Sequence, residues 1–134
     1  MVVLTLIGSC SGNGAKTDDA ERTIAKGAAL FESEGCVNCH GSEGQGLAGP
    51  RLASGAVLET FPSCVEEMRW VSLGSARWGR EVRATYGSTA KPVRGGMPGF
   101  DSRLDPEQIR RVVAYTRSVF GGDDPADVMP DYTG

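Results

Sequence analysis

Apolar positions recur at helical spacing in three stretches of the chain, and no stretch shows the two-residue alternation of a strand. In the first, Thr17 to Glu34, the residues Ile24, Gly27, Ala28 and Phe31 stand at i, i+3, i+4 and i+7, one stripe of a helix. Asp18 followed by Glu21 reads as a capping box at its start, and Gly35 as its stop. A glycine at position 27 costs the helix about 1 kcal/mol against alanine. Its place inside the stripe predicts that another helix crosses there at close range.

Ser63 to Leu73 reads as a second helix, with Pro62 before it, Ser63 and Glu66 as its cap and Gly74 as its stop. Residues 75–95 carry a weaker pattern, with a short helix over Arg77–Ala84. Asp105 to Phe120 is the best-marked helix. Asp105 fits the N-cap, and Pro106 fits the first helical position, where its missing N–H is no loss. Ile109, Val112, Val113, Thr116 and Val119 or Phe120 form the inward stripe, and Gly121-Gly122 ends the helix. Arg110, Arg111 and Arg117 are expected to face water, and Tyr115 to lie in the crossing with Gly27 and Phe31. The predicted fold class is all-α.

One cluster adds chemistry to this frame: Cys36-Val37-Asn38-Cys39-His40. Two thiols at this spacing can add across the two vinyl groups of a haem, and the adjacent imidazole can then reach the iron from one side. With 4 Cys and 1 His in 134 residues, chance produces the motif on the order of one time in a thousand. A thioredoxin-like redox pair would sit in a βαβ context, which the helical and glycine-rich flanks do not offer. A zinc site wants four ligands in spaced pairs, whereas Cys10 and Cys64 are isolated.

A haem also answers a shortage. One domain of 134 residues with 40% apolar content has modest means to build a core, and an apolar macrocycle would supply much of the interior. The 19 glycines cluster at 41–49, a loop ending at Pro50, and at 95–99, where backbone could approach a flat cofactor. Because His40 is the only histidine, bis-histidine ligation within the chain is excluded. Met97 is the candidate sixth ligand. It lies in Arg94-Gly-Gly-Met-Pro-Gly-Phe100, where the glycines allow close passage and Pro98 biases Met97 toward an extended backbone. Met68, inside the second helix, reads as core packing, and Met129 lies in a Pro/Asp-rich tail.

The formal net charge of −3 argues against nucleic acid as a partner. Its distribution is uneven: Met68 to Gly96 carries a net +5 and Asp101 to the end a net −3. The basic stretch is either a solvated face or a docking patch, or it holds arginines that neutralise haem propionates. At the start, an apolar run from Met1 to Ile7 precedes Gly8-Ser9-Cys10 and a small polar stretch. It resembles the end of a lipoprotein signal, without the usual charged n-region, and it is too short to span a bilayer. A lipid on Cys10 is the expectation; a disulfide from Cys10 to Cys64 is the structural alternative.

From about Thr17 to Phe120 the sequence resembles the class I cytochromes c, the small monohaem proteins of bacterial respiratory and photosynthetic chains. The resemblance rests on Gly27 and Phe31, Cys36 to His40, Gly49-Pro50-Arg51-Leu52, Gly96-Met97-Pro98 and the last helix with Tyr115. It implies a cytochrome c fold of three to five helices around one haem c, covalent through Cys36 and Cys39, with His40 and Met97 on the iron. It also implies that the Pro50 carbonyl accepts a hydrogen bond from the far nitrogen of His40.

The long connection between Pro50 and Met97, carrying Cys64, Trp70 and Trp78, and the tail from Gly121 depart from the pattern. Trp78, Tyr86 and Arg51 are candidates for propionate contacts. The domain division expected is a signal-like segment and tether over 1–16, a cytochrome c domain over 17–120 and an acidic tail over 121–134. The function implied is electron transfer between redox proteins, not enzymatic catalysis, at the periplasmic or extracytoplasmic membrane surface. A fixed haem subunit of a larger membrane complex, such as an oxidase, quinol-oxidising complex or reaction centre, is the alternative.

Overall fold

The computed structural model describes residues 17–128, the side chains of 17, 18, 126 and 128 excepted. Five α-helices follow one another: α1 (Thr17–Ser33), α2 (Cys36–His40), α3 (Ala56–Thr60), α4 (Cys64–Glu81) and α5 (Pro106–Tyr115). A π-helical segment, Thr116–Gly121, continues α5, and a single 3-10 turn covers Pro125–Val128. Among the described residues there is no strand, only an isolated antiparallel bridge between Thr85 and Pro92. The fold is all-α, as the hydrophobic spacing predicts. The side chain of Asp18, the segment 1–16 with Cys10, and Met129 lie outside what is described.

The crossing of α1 and α5 organises the interior. Gly27 is pressed against α5 so closely that an added Cβ would lie 2.7 Å from the Arg111 carbonyl carbon and 2.8 Å from Tyr115 Cβ. Phe31, one turn further along α1, meets Tyr115 at 5.4 Å and Phe120 at 5.5 Å between ring centroids. Such tilted and edge-on pairs contribute about 0.5–1.5 kcal/mol each beyond their area burial. Phe31, Cys64, Val71, Phe100, Leu104, Ile109, Val112, Val113 and Phe120 form the buried cluster.

The start of α5 is built as its sequence predicts. The Asp105 side chain accepts from Gln108 N at 2.8 Å, and the Gln108 side chain accepts from Asp105 N at 2.9 Å, with Pro106 at the first helical position. At its far end the change to π geometry decides between the two inward candidates: Phe120 is buried and Val119 is 54% exposed. Likewise at α4, the Ser63 hydroxyl accepts from Glu66 N.

Three expectations need correction. Arg110 and Arg117 are buried instead of facing water, and Arg111 is half-buried. Arg110 is tied to Glu107. Arg117 donates to the Phe61 carbonyl at 2.7 Å, the Pro62 carbonyl at 3.1 Å, Glu67 at 3.1 Å and Asp123 at 3.1 Å. Helical periodicity cannot reveal such distant acceptors, and without them a buried guanidinium would be untenable. Burial pushes the Glu67 carboxyl up to about 7, against the downward pull of the Thr116 hydroxyl, which donates to it at 2.6 Å, and of Arg117.

Gly74 is the second correction, because it does not end α4. It takes φ 73° and ψ 172°, which breaks the helix for one residue, and helical structure resumes as far as Glu81. The chain can re-enter because Ser75 N, orphaned by the break, donates to the Met97 carbonyl at 3.0 Å. The short helix expected over Arg77–Ala84 is therefore the second half of α4. Third, α3 was not foreseen; a single turn is too short to show periodicity. It packs on the π segment, where a Cβ on Gly121 would lie 2.9 Å from Leu58 Cγ. Among the described residues no helix is long and apolar enough to cross a membrane.

Candidate functional site

Gly35, at φ 80°, turns the chain out of α1 and directly into the one-turn helix α2. Because Cys36 and Cys39 are three positions apart on that turn, their side chains leave the same side of the helix. Both thiols are free; Cys36 is half-buried and Cys39 exposed. Burial pushes the Cys36 thiol up to about 11, with the nearby Glu34 carboxylate adding to it. The last residue of the motif, His40, is buried at 8% exposure beside Phe31, 6.5 Å between rings.

The loop that follows α2 wraps this histidine. Gly46 N donates to the His40 carbonyl at 2.8 Å, and Leu47 N and Gly49 N donate to the Cys39 carbonyl at 3.0 and 2.8 Å. A Cβ on Gly49 would sit 3.1 Å from His40 Cε1, so the backbone lies flat against the imidazole edge. His40 Nδ1 donates to the Pro50 carbonyl at 2.8 Å. A carbonyl can only accept, so the Nδ1–H tautomer is fixed and Nε2 keeps its lone pair. Burial lowers the His40 pKa below the usual histidine value, the Pro50 bond opposing it, which favours the neutral ligand form.

Met97 lies against the break in α4. A Cβ on Gly74 would meet Pro98 C at 2.6 Å and the Met97 carbonyl oxygen at 2.8 Å. A Cβ on Gly99 would meet Leu73 C at 2.7 Å, so two glycines let the loop and the helix touch backbone to backbone. The Ser75 hydroxyl donates to the Met97 carbonyl at 3.2 Å and accepts from Gly96 N at 3.1 Å. Phe100 N and Asp101 N continue the attachment, donating to the Val71 and Ser72 carbonyls at 3.0 and 3.2 Å. The Trp70 indole N–H points at the Met97 sulfur, with 2.9 Å between Nε1 and Sδ.

The Cytochrome c family model matches residues 24–120, most of the chain. The chain belongs to the cytochrome c family. No solved structure matches it. As a cytochrome c it carries covalent haem c, and haem-based electron transfer is its general function. The residues fit that group. Two free thiols and an imidazole with a free Nε2 share one helical turn. Cys36, Leu52, Met68, Trp70 and Met97 pack against the core while remaining part-exposed, an apolar lining that a macrocycle would cover.

The other sequence candidates fall out differently. Trp78 is fully buried, and its indole N–H donates to the Thr85 carbonyl at 3.0 Å, so that donor is already used. Tyr86 is half-buried and packs on Trp70 at 5.9 Å, and Arg51 is exposed. In the basic stretch, Arg77 pairs with Asp101 and Glu81, and Arg83 with Glu66. Arg69, Arg80, Lys91 and Arg94 are exposed and carry no ion pair among the described residues. Cys64 is buried and disulfide-bonded, whereas Cys36 and Cys39 are free. Sequence reasoning missed Trp70, Ser75 and Glu67. The signal for Ser75 was the Gly74-Ser75 pair inside an otherwise continuous helical pattern, where a break leaves backbone groups open to a partner loop.

Proposed function

We propose that this cytochrome c is a one-electron carrier whose iron is ligated by His40 and Met97, with thioether links at Cys36 and Cys39. When bound, haem c supplies the ferric/ferrous couple. The chain's own residues set how that couple behaves. The Pro50 carbonyl holds His40 in one tautomer and presents Nε2 as the donor. Methionine ligation and burial among apolar side chains both raise the potential relative to stronger donors in water. A six-coordinate iron leaves no position for a substrate, and His40, the one histidine, is committed, so no distal imidazole remains for acid–base catalysis.

The observation that carries this reading is the attachment of the Met97 loop to α4, which presents the sulfur from a fixed, half-buried position. A redox titration of the matured protein and Met97→Ala, each repeated under carbon monoxide, tests it. The native protein is expected to give a single high potential indifferent to the gas, and Met97→Ala a lower potential with tight gas binding. Ready gas binding by the native protein, or an unchanged spectrum in the variant, would overturn the assignment.

The donor and acceptor are redox proteins of a respiratory or photosynthetic chain, met by transient docking. The exposed cations Arg69, Arg80, Lys91 and Arg94 favour acidic faces on them. The disulfide at Cys64 supports an exported protein in an oxidising compartment, the periplasmic side of a membrane. A lipid on Cys10 would tether the carrier there and raise its effective concentration near membrane complexes. A Cys10 bridged to Cys64 could not carry that lipid, so the intact mass of the matured protein decides between tethered and free carrier.

A further inference from the structure

We infer that Trp70 and Ser75 are positioning residues for the Met97 ligand, acting at two different points: Trp70 on the sulfur and Ser75 on the backbone that carries it. The inference rests on the Met97 assignment above and goes beyond it by naming what sets the strength of that ligand and what holds it in place.

A thioether sulfur has two lone pairs. One serves the metal, which leaves the second for a hydrogen-bond donor. Trp70 Nε1 stands 2.9 Å from Met97 Sδ. The indole can act there because its ring is wedged in an aromatic cluster: Phe61 at 5.7 Å, Trp78 at 5.4 Å and Tyr86 at 5.9 Å between centroids. Indole nitrogen is a donor only. It therefore withdraws density from the sulfur and weakens it as a donor to ferric iron, which favours the ferrous state and raises the potential.

Ser75 works otherwise. It lies just past the break in α4, 2% exposed, and its N–H and hydroxyl both donate to the Met97 carbonyl at 3.0 and 3.2 Å. The same hydroxyl accepts from Gly96 N at 3.1 Å. It grips the loop on both sides of the Met97 amide plane without touching the sulfur. Losing it frees the loop but leaves the donor strength of the thioether alone.

Two conservative variants separate these roles. Trp70→Phe keeps an aromatic ring in the cluster and removes the N–H, and Ser75→Ala removes the hydroxyl. Two readouts are taken on the haem-loaded protein: the midpoint potential, and the affinity of the ferric form for imidazole, which must displace Met97. Trp70→Phe is expected to lower the potential and to weaken imidazole binding, because the thioether becomes the stronger donor to ferric iron. Ser75→Ala is expected to tighten imidazole binding, about threefold to tenfold for the lost hydrogen bonds, with the potential unchanged. Phe61→Leu, which disturbs the same aromatic cluster away from the sulfur, is expected to leave the potential where it was.

If Trp70→Phe leaves potential and imidazole affinity unchanged, Trp70 only packs and its part of the inference fails. If Phe61→Leu lowers the potential as much as Trp70→Phe, the cluster and not the N–H is responsible. Proton NMR of the reduced native protein keeps the underlying assignment separate. A methionine methyl lying over the ring is strongly shifted upfield. Its presence with inert variants refutes the inference alone, and its absence refutes Met97 ligation itself.

Discussion

Gly27→Ala is the sharpest test of how this fold is assembled, because two effects of known sign oppose each other at one atom. Taken as a helix residue, Gly27 is a liability, and alanine would gain about 1 kcal/mol. Taken as a contact, the new Cβ would lie 2.7 Å from the Arg111 carbonyl carbon, 2.8 Å from Tyr115 Cβ and closer still to the Arg111 carbonyl oxygen, where ordinary contact begins at 3.4 Å. Backbone on both sides cannot rotate away, so α1 and α5 must separate by about 1 Å. Overpacking of this kind costs about 1–3 kcal/mol, and here the separation also loosens Phe31 from Tyr115 and Phe120. The cost falls at the upper end and outweighs the gain, leaving the variant about 2 kcal/mol less stable.

At this chain length that corresponds to a fall in Tm of roughly 6–10 °C. Gly79→Ala is the internal control. It lies in the second half of α4, where the nearest atom to a new Cβ is Val93 Cγ1 at 3.7 Å. There the propensity gain stands unopposed, and Tm is expected to rise by a few degrees. Thermal unfolding followed by circular dichroism on both haem-loaded variants is the assay. The covalent haem stays on the chain in the unfolded state, so both transitions share a reference. A Gly27→Ala protein with an unchanged or raised Tm would refute the claim that close backbone contact at the crossing fixes this residue.

The buried Glu67 gives a pH prediction. Its pKa is raised from 4.5 to about 7, mainly by burial, with Thr116, Arg117 and Asp123 as its charged and polar neighbours. The folded state therefore binds the proton more tightly than the unfolded chain. This contribution to stability is fully present below about pH 4.5 and is lost as pH rises through about 7. Urea midpoints measured across that range should fall with pH, and Glu67→Gln should flatten the decline; an equal slope in the variant would assign it to other groups. Gly74→Ala places a Cβ at φ 73° and 2.6 Å from Pro98 C, so it should dislodge the Met97 loop and let carbon monoxide bind the reduced protein. A gas-indifferent Gly74→Ala would mean the loop holds Met97 without the break in α4.

What could be read from the sequence was whatever depended on neighbours along the chain. The turn bearing Cys36, Cys39 and His40, the Asp105 cap with Pro106, and the stripe of Ile109, Val112 and Val113 are set by spacings of one to four residues, which a linear pattern preserves. The α1–α5 crossing was legible too, but for a different reason. A glycine where an apolar residue should stand is a cost with no local return, so it signals a distant partner. The same logic misfired at Gly74. A glycine after a capped run reads as a stop, and locally it is one, since the backbone leaves helical geometry there. What restarts the helix is the Met97 carbonyl, twenty-two positions beyond Ser75, and no window along the chain contains both.

That asymmetry bears on how the site is built. The proximal side, from Cys36 to Pro50, is a local structure: one helical turn and a glycine loop folding back onto it, with every hydrogen bond around His40 spanning ten residues or fewer. The side proposed as distal, around Met97, is tertiary throughout. Met97 is held by Ser75 and approached by Trp70, residues of a helix that is itself broken to receive the loop. Local structure forms cheaply, whereas closing a long connection costs chain entropy that the completed contacts must offset. The distal loop is thus the part of the site whose attachment can be loosened without unfolding the rest. It follows that substitutions in α4 between Trp70 and Ser75 should change ligand exchange before they change Tm, whereas substitutions at the α1–α5 crossing should do the reverse.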